Sequence, residues 1–227
     1  GNTFIANNRG LSLQSTGNIL KNNRFNNNGD NLQINGANFA NEVDSSNMLN
    51  GKPIIYWVNQ HNQTVPLNAG YVVLANCTGI IAQNLTLANQ NQGILLAFTT
   101  SSTITNNLIA NNTNGIYLHG ASGNKFVHNH ITGNNYAIYI HGATFSFLGA
   151  PPTYVPSSDN QFYRNNFVGN NQTLYDIGGV YDVSNGPSEN FWDDGKQGNF
   201  WSNYTGVDTN SDGIGDSRYV VYAKNTD

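Results

Sequence analysis

The sequence predicts an all-β fold: a right-handed parallel β-helix with coils of about 22 residues, a hairpin insert and a C-terminal cap. Three observations predict it, namely a repeat at that period, short segments that alternate apolar and polar residues, and Asn or Gly at the bends between them. With 227 residues, 38% of them hydrophobic, the chain is long enough to bury a sizeable core.

The repeat is visible in three consecutive segments, NQGILLA, TNGIYLH and NYAIYIH. They place Gly93, Gly115 and Ala137 at one phase, with spacings of 115 − 93 = 22 and 137 − 115 = 22 residues. A later match, NQTLYDIGG, is offset from NYAIYIHGA by 171 − 135 = 36 residues. The additional 36 − 22 = 14 residues are therefore expected in a proline-containing loop at residues 143–157.

Each repeat segment has the period of a β-strand, because its side chains alternate over four to six positions. Asn and Gly between the segments supply the left-handed backbone conformations of sharp bends. Short strands at this period, with no helix between them, predict parallel strands that pair from coil to coil across about 4.8 Å. Asparagines that recur at one phase are expected to stack, each amide hydrogen bonding to the next.

Two stretches depart from the repeat. Residues 47–71 predict a hairpin insert, with PIIYWV and TVPL as its strands around NQHNQ. The stretch after residue 187 is rich in Trp, Tyr and Asp, and it predicts an element that closes the apolar end of the coils. The expected organisation is a parallel β-helix over 1–187, with a loop insert at 143–157, followed by a cap over 188–227.

Composition excludes several classes of protein. Only 10% of the residues are charged and the formal net charge is −4, so no basic surface for nucleic acid is expected. The one cysteine, Cys77, has no partner for an internal disulfide. No run approaches the roughly 18 apolar residues that a membrane span needs. The six Asn-x-Ser/Thr sequons are expected glycosylation sites of an exported protein: Asn62, Asn76, Asn84, Asn111, Asn171 and Asn203.

Three stretches resemble one family. The coil pattern NxxxxNxxGIxL, the segment NGKPIIYWVNQ leading to VPLNAGYVVLANCTGIIAQNLTL, and the ending GNFWSNYTGVDTNSDGIGDSRYVV are similar to the NosD-like, or carbohydrate-binding and sugar-hydrolase, family. The resemblance covers nearly the whole chain and implies a right-handed β-helix in an exported or cell-surface protein. Functions in that family range from copper-enzyme maturation to surface proteins and polysaccharide-active enzymes, so it implies fold more firmly than function.

The strongest single motif is DTNSDGIGD, near the C-terminal end. Its expected Ca²⁺ ligands are Asp208, Asn210, Asp212, Ile214 (by its carbonyl) and Asp216. Ca²⁺ takes six to eight oxygens, and this alternating spacing supplies most of them from one loop. Tyr219 stands where an EF-hand has its bidentate Glu, so the loop is not a complete EF-hand. We expect a structural Ca²⁺ that stabilises the cap; the alternative is a solvated cluster of Asx turns.

A Tyr-x-His pattern recurs one period apart, in YLHG and YIHG. Because Ile116 and Leu118 should face the core, the intervening side chains are expected on the outer face: Tyr117, His119, Tyr139, His141 and, one coil further, Tyr175. Three interpretations remain open. The rings bind a glycan by stacking, the two imidazoles share a transition metal for which no third ligand is evident, or the side chains form a structural cross-rung ladder partly covered by the loop.

Acidic residues are scarce in the coils. Asp159 is the one acid between residues 76 and 173, so the paired carboxylates of a polysaccharide lyase or hydrolase are not evident there. Asp193 and Asp194 are adjacent and would point to opposite faces of a strand. The sequence therefore favours a non-catalytic extracellular or cell-surface module with a structural, assembly or glycan-binding role. The alternatives are a carbohydrate-active enzyme and a copper-accessory protein of the NosD type.

The first coil suggests self-association. Residues 1–14 have no capping element ahead of them, so their strands are expected to present unpaired edges. Such an end favours head-to-tail stacking into a filament; the alternative is that the coils continue into sequence ahead of residue 1.

Overall fold

A computed structural model describes residues 1–35, 39–145, 153–177, 188–222 and 225–227. All of the regular secondary structure in these residues is β-strand, which confirms the all-β class. Across them, the structure contains no helix of the length and apolarity that a membrane span requires.

Fifteen strands form three parallel sheets, which we call the main stack. The long sheet contains β8 (Lys52–Val58), β9 (Tyr71–Ala75), β12 (Gln92–Ala97), β15 (Asn114–His119), β18 (Tyr136–His141) and β23 (Gln172–Asp176). The second contains β10 (Ile81–Gln83), β13 (Thr103–Thr105), β16 (Lys125–Val127) and β21 (Gln161–Tyr163). The third contains β11 (Thr86–Ala88), β14 (Leu108–Ala110), β17 (His130–Thr132), β22 (Asn166–Val168) and β24 (Phe200–Trp201).

The register of the main stack follows the sequence repeat. Ile94 pairs with Ile116, and Ile116 with Ile138, so paired residues are 116 − 94 = 22 and 138 − 116 = 22 apart. Tyr139 pairs with Tyr175, an offset of 175 − 139 = 36. The period and the 14-residue excess are therefore confirmed. The excess leaves the stack as an antiparallel hairpin of β19 (Ala143–Phe145) and β20 (Thr153–Val155), while residues 146–152 lie outside the described residues.

Asparagine ladders run along the corners of the main stack, as the recurrence of Asn predicts. The backbone N–H of Asn107 donates to Oδ1 of Asn129 at 3.0 Å, and that of Asn129 donates to Oδ1 of Asn165 at 2.9 Å. Each Nδ2 also satisfies a carbonyl of the preceding coil, as Asn129 does for Ile104 at 2.8 Å. Buried turn backbone is thus hydrogen bonded at every rung, which fixes the position of each bend.

The interior of the main stack holds columns of like side chains. Ile94, Ile116 and Ile138 are each 0% exposed. Toward the C-terminal end the rings of Phe126 and Phe162 stack with their centroids 4.5 Å apart, and further aromatic residues from the expected cap continue the core.

The expected cap boundary at residue 187 falls among residues 178–187, outside the described residues. The chain ends in an antiparallel pair, β25 (Val220–Tyr222) and β26 (Asn225–Thr226).

Residues 52–70 form a shortened coil, so the predicted hairpin insert at 47–71 is wrong. Ile54 pairs in parallel with Tyr71 and Thr64 with Ile81, both at an offset of 17 residues (71 − 54 and 81 − 64). PIIYWV and TVPL therefore each pair with the following coil and not with each other. Parallel pairing places the Val65 side chain in the core at 1% exposure, which a hairpin leaving the stack would not do.

The first seven strands form a smaller unit, the N-terminal stack: β1 (Thr3–Ile5), β2 (Arg9–Leu13), β3 (Ile19–Leu20), β4 (Arg24–Asn26), β5 (Asp30–Ile34), β6 (Glu42–Val43) and β7 (Met48–Leu49). They pair in parallel, except that β7 meets β8 in an antiparallel turn. Apolar residues of this unit, such as Phe25 and Leu32, share one buried cluster with Tyr71, Val73 and Leu95 from the outer face of the long sheet. The N-terminal stack therefore covers that face over its first coils.

Candidate functional site

A tyrosine ladder lies on the outer face of the last three strands of the long sheet. Alternation along β15 places Ile116 and Leu118 in the core, and the ring of Tyr117 on the other face. The rings of Tyr117 and Tyr139 stack at 5.1 Å between centroids and 9°, and those of Tyr139 and Tyr175 at 5.2 Å and 30°. The structure thus brings the three sequence-predicted tyrosines into one column.

The stacking direction limits what the ladder can bind. Because neighbouring rings lie face to face along the column, both faces of Tyr139 and one face each of Tyr117 and Tyr175 are occupied by another ladder ring. A pyranose ring binds flat on an exposed aromatic face, so these covered faces are not open to a sugar, and glycan binding by stacking stays a prediction. Burial also raises the pKa of Tyr117 well above its usual range, with a further contribution from Tyr139. At Tyr139 the ladder therefore presents a ring edge, not a ring face.

A fourth ring, Tyr136, belongs to this surface and was missed by sequence reasoning. It contacts Tyr139 at 5.6 Å and 79°, and Tyr175 at 5.3 Å and 53°. Strict alternation would place it on the core side. Ala137 and Ile138 are both 0% exposed in the core, so the alternation is broken between them and Tyr136 turns outward. The sequence does carry a signal for this break, namely the small residue that recurs at one phase of the repeat (Gly93, Gly115 and Ala137). Only a small residue fits there, because this position faces the core in addition to the next one.

The two predicted histidines stack, and one of them is buried. His119 is 4% exposed, its ring 4.8 Å and 13° from that of His141. Phe39 and Phe98 meet it edge-on at 5.1 and 5.3 Å. The side chain points out of the main stack, as expected, and the N-terminal stack covers it through Phe39. Sequence alternation identifies the face and not the segment that lies over it.

Burial keeps both imidazoles neutral. Desolvation, with the neighbouring His141 as a second cause, lowers the pKa of His119 to about 3, and desolvation also lowers the pKa of His141. Both ring nitrogens of His119 and Nδ1 of His141 are buried without a hydrogen-bond partner. Nitrogen lone pairs lie in the ring plane, and two nearly parallel planes do not direct them at one point. Within the described residues, no group of three or more His, Cys, Asp or Glu is placed to hold a metal ion.

A polar groove of about 650 Å³ lies at the corner that precedes the long sheet. Amide side chains and glycines line it: Asn28, Gly29, Asn89, Gln90, Asn111, Asn112, Thr113, Gly133, Asn134, Asn135, Gly169 and Asn171. None of these residues is charged. Asn89, Asn111, Gly133 and Gly169 occupy the same bend of successive coils, all at positive φ between 55° and 63°. This conformation suits Asn and Gly, and it explains their recurrence.

The exposed wall of the groove offers hydrogen-bonding groups at every rung. Thr113, Asn135 and Asn171 form a column of exposed side chains, and Nδ2 of Asn171 donates to Oδ1 of Asn135 at 2.9 Å. Tyr136 follows Asn135 directly, so the groove and the tyrosine ladder are contiguous. The opposite wall comes from the N-terminal stack through Asn28 and its neighbour. Sequence reasoning missed this groove because its walls come from segments about 60 to 140 residues apart in the chain.

The five residues predicted to bind Ca²⁺ lie on one exposed loop: Asp208, Asn210, Asp212, Ile214 and Asp216. Their carboxylates accept hydrogen bonds from the loop's own backbone. Asp208 accepts from the N–H of Gly213 at 2.9 Å, and Asp212 from that of Ile214 at 2.8 Å. Hydrogen bonds from the hydroxyl and N–H of Thr209 lower the pKa of Asp216. This is the geometry of Asx turns, and the Ca²⁺ site stays a prediction.

The adjacent acids Asp193 and Asp194 hold a turn together. Asp193 accepts from the N–H of Gly195 at 2.7 Å, and Asp194 from that of Gln197 at 2.8 Å. The second oxygen of Asp194 pairs with Arg164 at 2.9 Å. Both carboxylates are therefore engaged in local structure.

The asparagines of all six sequons are exposed: Asn62, Asn76, Asn84, Asn111, Asn171 and Asn203. Two of them, Asn111 and Asn171, line the groove. Glycosylation at these sites stays a prediction.

Comparison with known proteins identifies the family. No curated protein matches the chain. Among solved structures, the chain is similar to the A-module of the mannuronan C-5 epimerase AlgE6 from Azotobacter vinelandii, with 13% identity and a TM-score of 0.37. That similarity covers 84% of this chain and 57% of the other, so the chain spans little more than half of that length. Residues 55–206 match the profile of the family described as "Periplasmic copper-binding protein (NosD)". Since this match covers more than half of the chain, the protein belongs to the NosD family.

Proposed function

We propose that the chain is a right-handed parallel β-helix that acts as a non-catalytic, glycan-binding module of an exported protein. The observation that carries the proposal is the uncharged groove, which crosses four coils and is lined by amides and turn backbone. The groove has a volume of about 650 Å³ and is open to solvent along its length.

The handedness follows from the connections. In three consecutive coils, a strand of the long sheet (β9, β12 or β15) leads through two further short strands to its parallel neighbour in the next coil. Such parallel crossovers are right-handed in about 98% of known cases, because strand twist favours that direction.

The chemistry of the groove suits a ligand rich in hydroxyl groups. A sugar hydroxyl both donates and accepts, and an Asn side chain offers an acceptor oxygen and two donor hydrogens. Asn135 and Asn171 are exposed in the groove wall, so both types of group are available there. The edges of Tyr136 and Tyr139 extend the surface beside them.

A binding role is favoured over catalysis because no acid lines the groove. Glycoside hydrolysis ordinarily uses two carboxylates that flank the scissile bond, about 5–10 Å apart. The acid that follows the lining residue Gly29 in the chain, Asp30, is no part of such a pair, since it accepts from Nδ2 of Asn91 at 3.3 Å and faces Arg9 at 3.7 Å.

Export is supported by the family description, which names a periplasmic protein. A periplasmic or cell-surface location would place the groove where polysaccharides are met. The proposal for an exported protein includes two predictions made from the sequence: glycosylation at the exposed sequon asparagines, and head-to-tail assembly of the chain.

Copper enters through the family description, and the residues of this chain do not fit it at the histidine pair. A copper ion shared by His119 and His141 would have to lie in both ring planes, within about 2 Å of each nitrogen. The planes are tilted by only 13° and the rings are 4.8 Å apart, so they intersect far beyond that bond length. We therefore derive no copper chemistry from this pair.

The experiment that tests the proposal is retention on immobilised polysaccharides, together with an assay for new reducing ends or unsaturated products. We expect retention on at least one polysaccharide without turnover. Product formation would show an enzyme, and the absence of retention on the whole panel would contradict the glycan-binding role.

A further inference from the structure

We infer that the ligand of the groove is an uncharged, extended glycan that lies parallel to the stacking direction of the coils. This inference rests on the proposed function and names the class of glycan. It combines three features of the groove: its charge, its repeat and its two walls.

The lining of the groove offers no cation to an acidic sugar, and Arg9, beside the second wall, already faces Asp30 at 3.7 Å. None of the lining residues is charged, and the sequence contains no Lys or Arg between Lys52 and Lys125 or between Lys125 and Arg164. The coils that form the main wall therefore bring no cation to the groove. A carboxylate or sulfate that left water for this site would lack an opposite charge, which is unfavourable even with hydrogen bonds. The net charge of −4 adds a weak repulsion of polyanions.

The repeat of the groove sets the direction of the ligand. Equivalent groups recur once per coil on the wall, at Thr113, Asn135 and Asn171 in three consecutive coils. Successive rungs are about 4.8 Å apart, so these three positions extend over about 10 Å. The length of one sugar in an extended glycan is similar to one rung. A chain parallel to the stacking direction therefore presents a hydroxyl-bearing ring to each rung, whereas a chain across the coils would meet only one.

The second wall limits the ligand to a single strand. Asn28 and Gly29 of the N-terminal stack face the asparagines of the main stack across the groove. Asn28 is itself fixed, since its Nδ2 donates to Oδ1 of Asn31 at 2.9 Å. Its Nδ2 also donates to the Phe4 carbonyl at 2.9 Å and its Oδ1 accepts from the Asn7 N–H at 2.9 Å, so this wall limits the width of the groove while the partners for a ligand lie on the wall of the main stack.

The first test compares neutral and acidic polysaccharides on the wild-type protein, by affinity electrophoresis in gels that contain a glucan, a mannan or a polyuronate. We expect retardation by at least one neutral polysaccharide and none by the polyuronate. Retardation by the polyuronate alone would overturn the inference and leave the glycan-binding role standing. No retardation in any gel would overturn both.

The second test locates the site with a matched pair of glycine variants. Gly169 in the groove and Gly123 at another corner have φ of 57° and 65°, and an added Cβ meets no atom within 4 Å at either position. Asn tolerates this conformation, so Gly169→Asn and Gly123→Asn should both fold. We expect Gly169→Asn to change the affinity for the neutral glycan at least fivefold, and Gly123→Asn to leave it unchanged. Equal binding by both variants would overturn the placement in the groove.

The third test changes the charge of the groove. Asn135→Lys places a cation on the exposed wall, and Leu67→Lys places one at a position that is 68% exposed and outside the groove. We expect Asn135→Lys to gain polyuronate binding at least tenfold relative to Leu67→Lys, with a loss at high salt. Identical behaviour of the two lysine variants would contradict the inference.

Discussion

Acidification should destabilise the protein through His119. Its pKa is about 3 in the folded chain, against 6.5 for an unperturbed imidazole. The unfolded state therefore binds a proton below pH 6.5, while the folded state does not until about pH 3. Because the pKa of His119 is lower in the folded state than in the unfolded state, the free energy of unfolding is unaffected by this residue above pH 6.5. It decreases as pH falls from 6.5 toward 3. At 1.36 kcal/mol per pH unit, the loss between pH 7.5 and 4.5 is about 2.5 kcal/mol.

The assay is urea unfolding of the wild type and His119→Leu at both pH values. Leucine has a similar volume and no titratable group, and it removes two buried nitrogens without partners. We expect the variant to match or exceed the wild type at pH 7.5, and its relative stability to rise by about 2.5 kcal/mol at pH 4.5. Burial raises the pKa of Asp227, so the stability that this residue contributes is lost as pH rises and not as it falls. The wild type and the variant share this effect, so it cancels in the difference between their free energies of unfolding.

The control is His130→Leu, the same substitution at an exposed position on β17. If His119→Leu lost stability on acidification as steeply as the wild type, the burial of His119 beneath Phe39 would be refuted.

Three further predictions concern the ladders, the Ca²⁺ loop and assembly. Asn129→Ala removes the acceptor of the Asn107 N–H and the donor to the Ile104 carbonyl, both buried. We expect a loss of about 3 kcal/mol in chemical unfolding, against less than about 0.5 kcal/mol for the exposed Thr86→Ala; equal losses would contradict the ladder's role. Millimolar Ca²⁺ should raise the melting temperature above that in chelator, and Asp212→Ala should abolish the difference; equal melting temperatures would exclude the proposed ion. Light scattering at high concentration should show assemblies larger than a monomer, and a monomer alone would count against head-to-tail stacking.

The register of the main stack could be predicted from the sequence because it depends on local patterns that repeat. Gly93, Gly115 and Ala137 mark one phase, and parallel pairing at a fixed offset follows from it. The asparagine ladders followed for the same reason. The coil at residues 52–70 could not be predicted this way. This coil is five residues shorter than the repeat (22 − 17), so its two apolar segments did not align with the other coils. They were therefore interpreted as two strands that pair with each other.

The candidate site was harder to predict, since it depends on which distant segments meet. Alternation correctly turned Tyr117 and His119 away from the core, but it did not show that Phe39 covers His119. Nor did it show that neighbouring tyrosine rings occupy each other's faces. Tyr136 was not predicted to lie on this surface, because the inward–outward alternation of side chains is broken between Ala137 and Ile138. The groove joins residues of the N-terminal stack to bends of the main stack, a contact that no local pattern records.

Titration of the isotope-labelled protein with a neutral oligosaccharide, followed by NMR of the side-chain amides, tests the proposed glycan site most directly. The result we expect is a set of shifts confined to the groove, at the side-chain amides of Asn111, Asn135 and Asn171, with the oligosaccharide intact. Shifts confined to the loop at residues 208–216, or cleavage of the oligosaccharide, would contradict a non-catalytic glycan site in the groove.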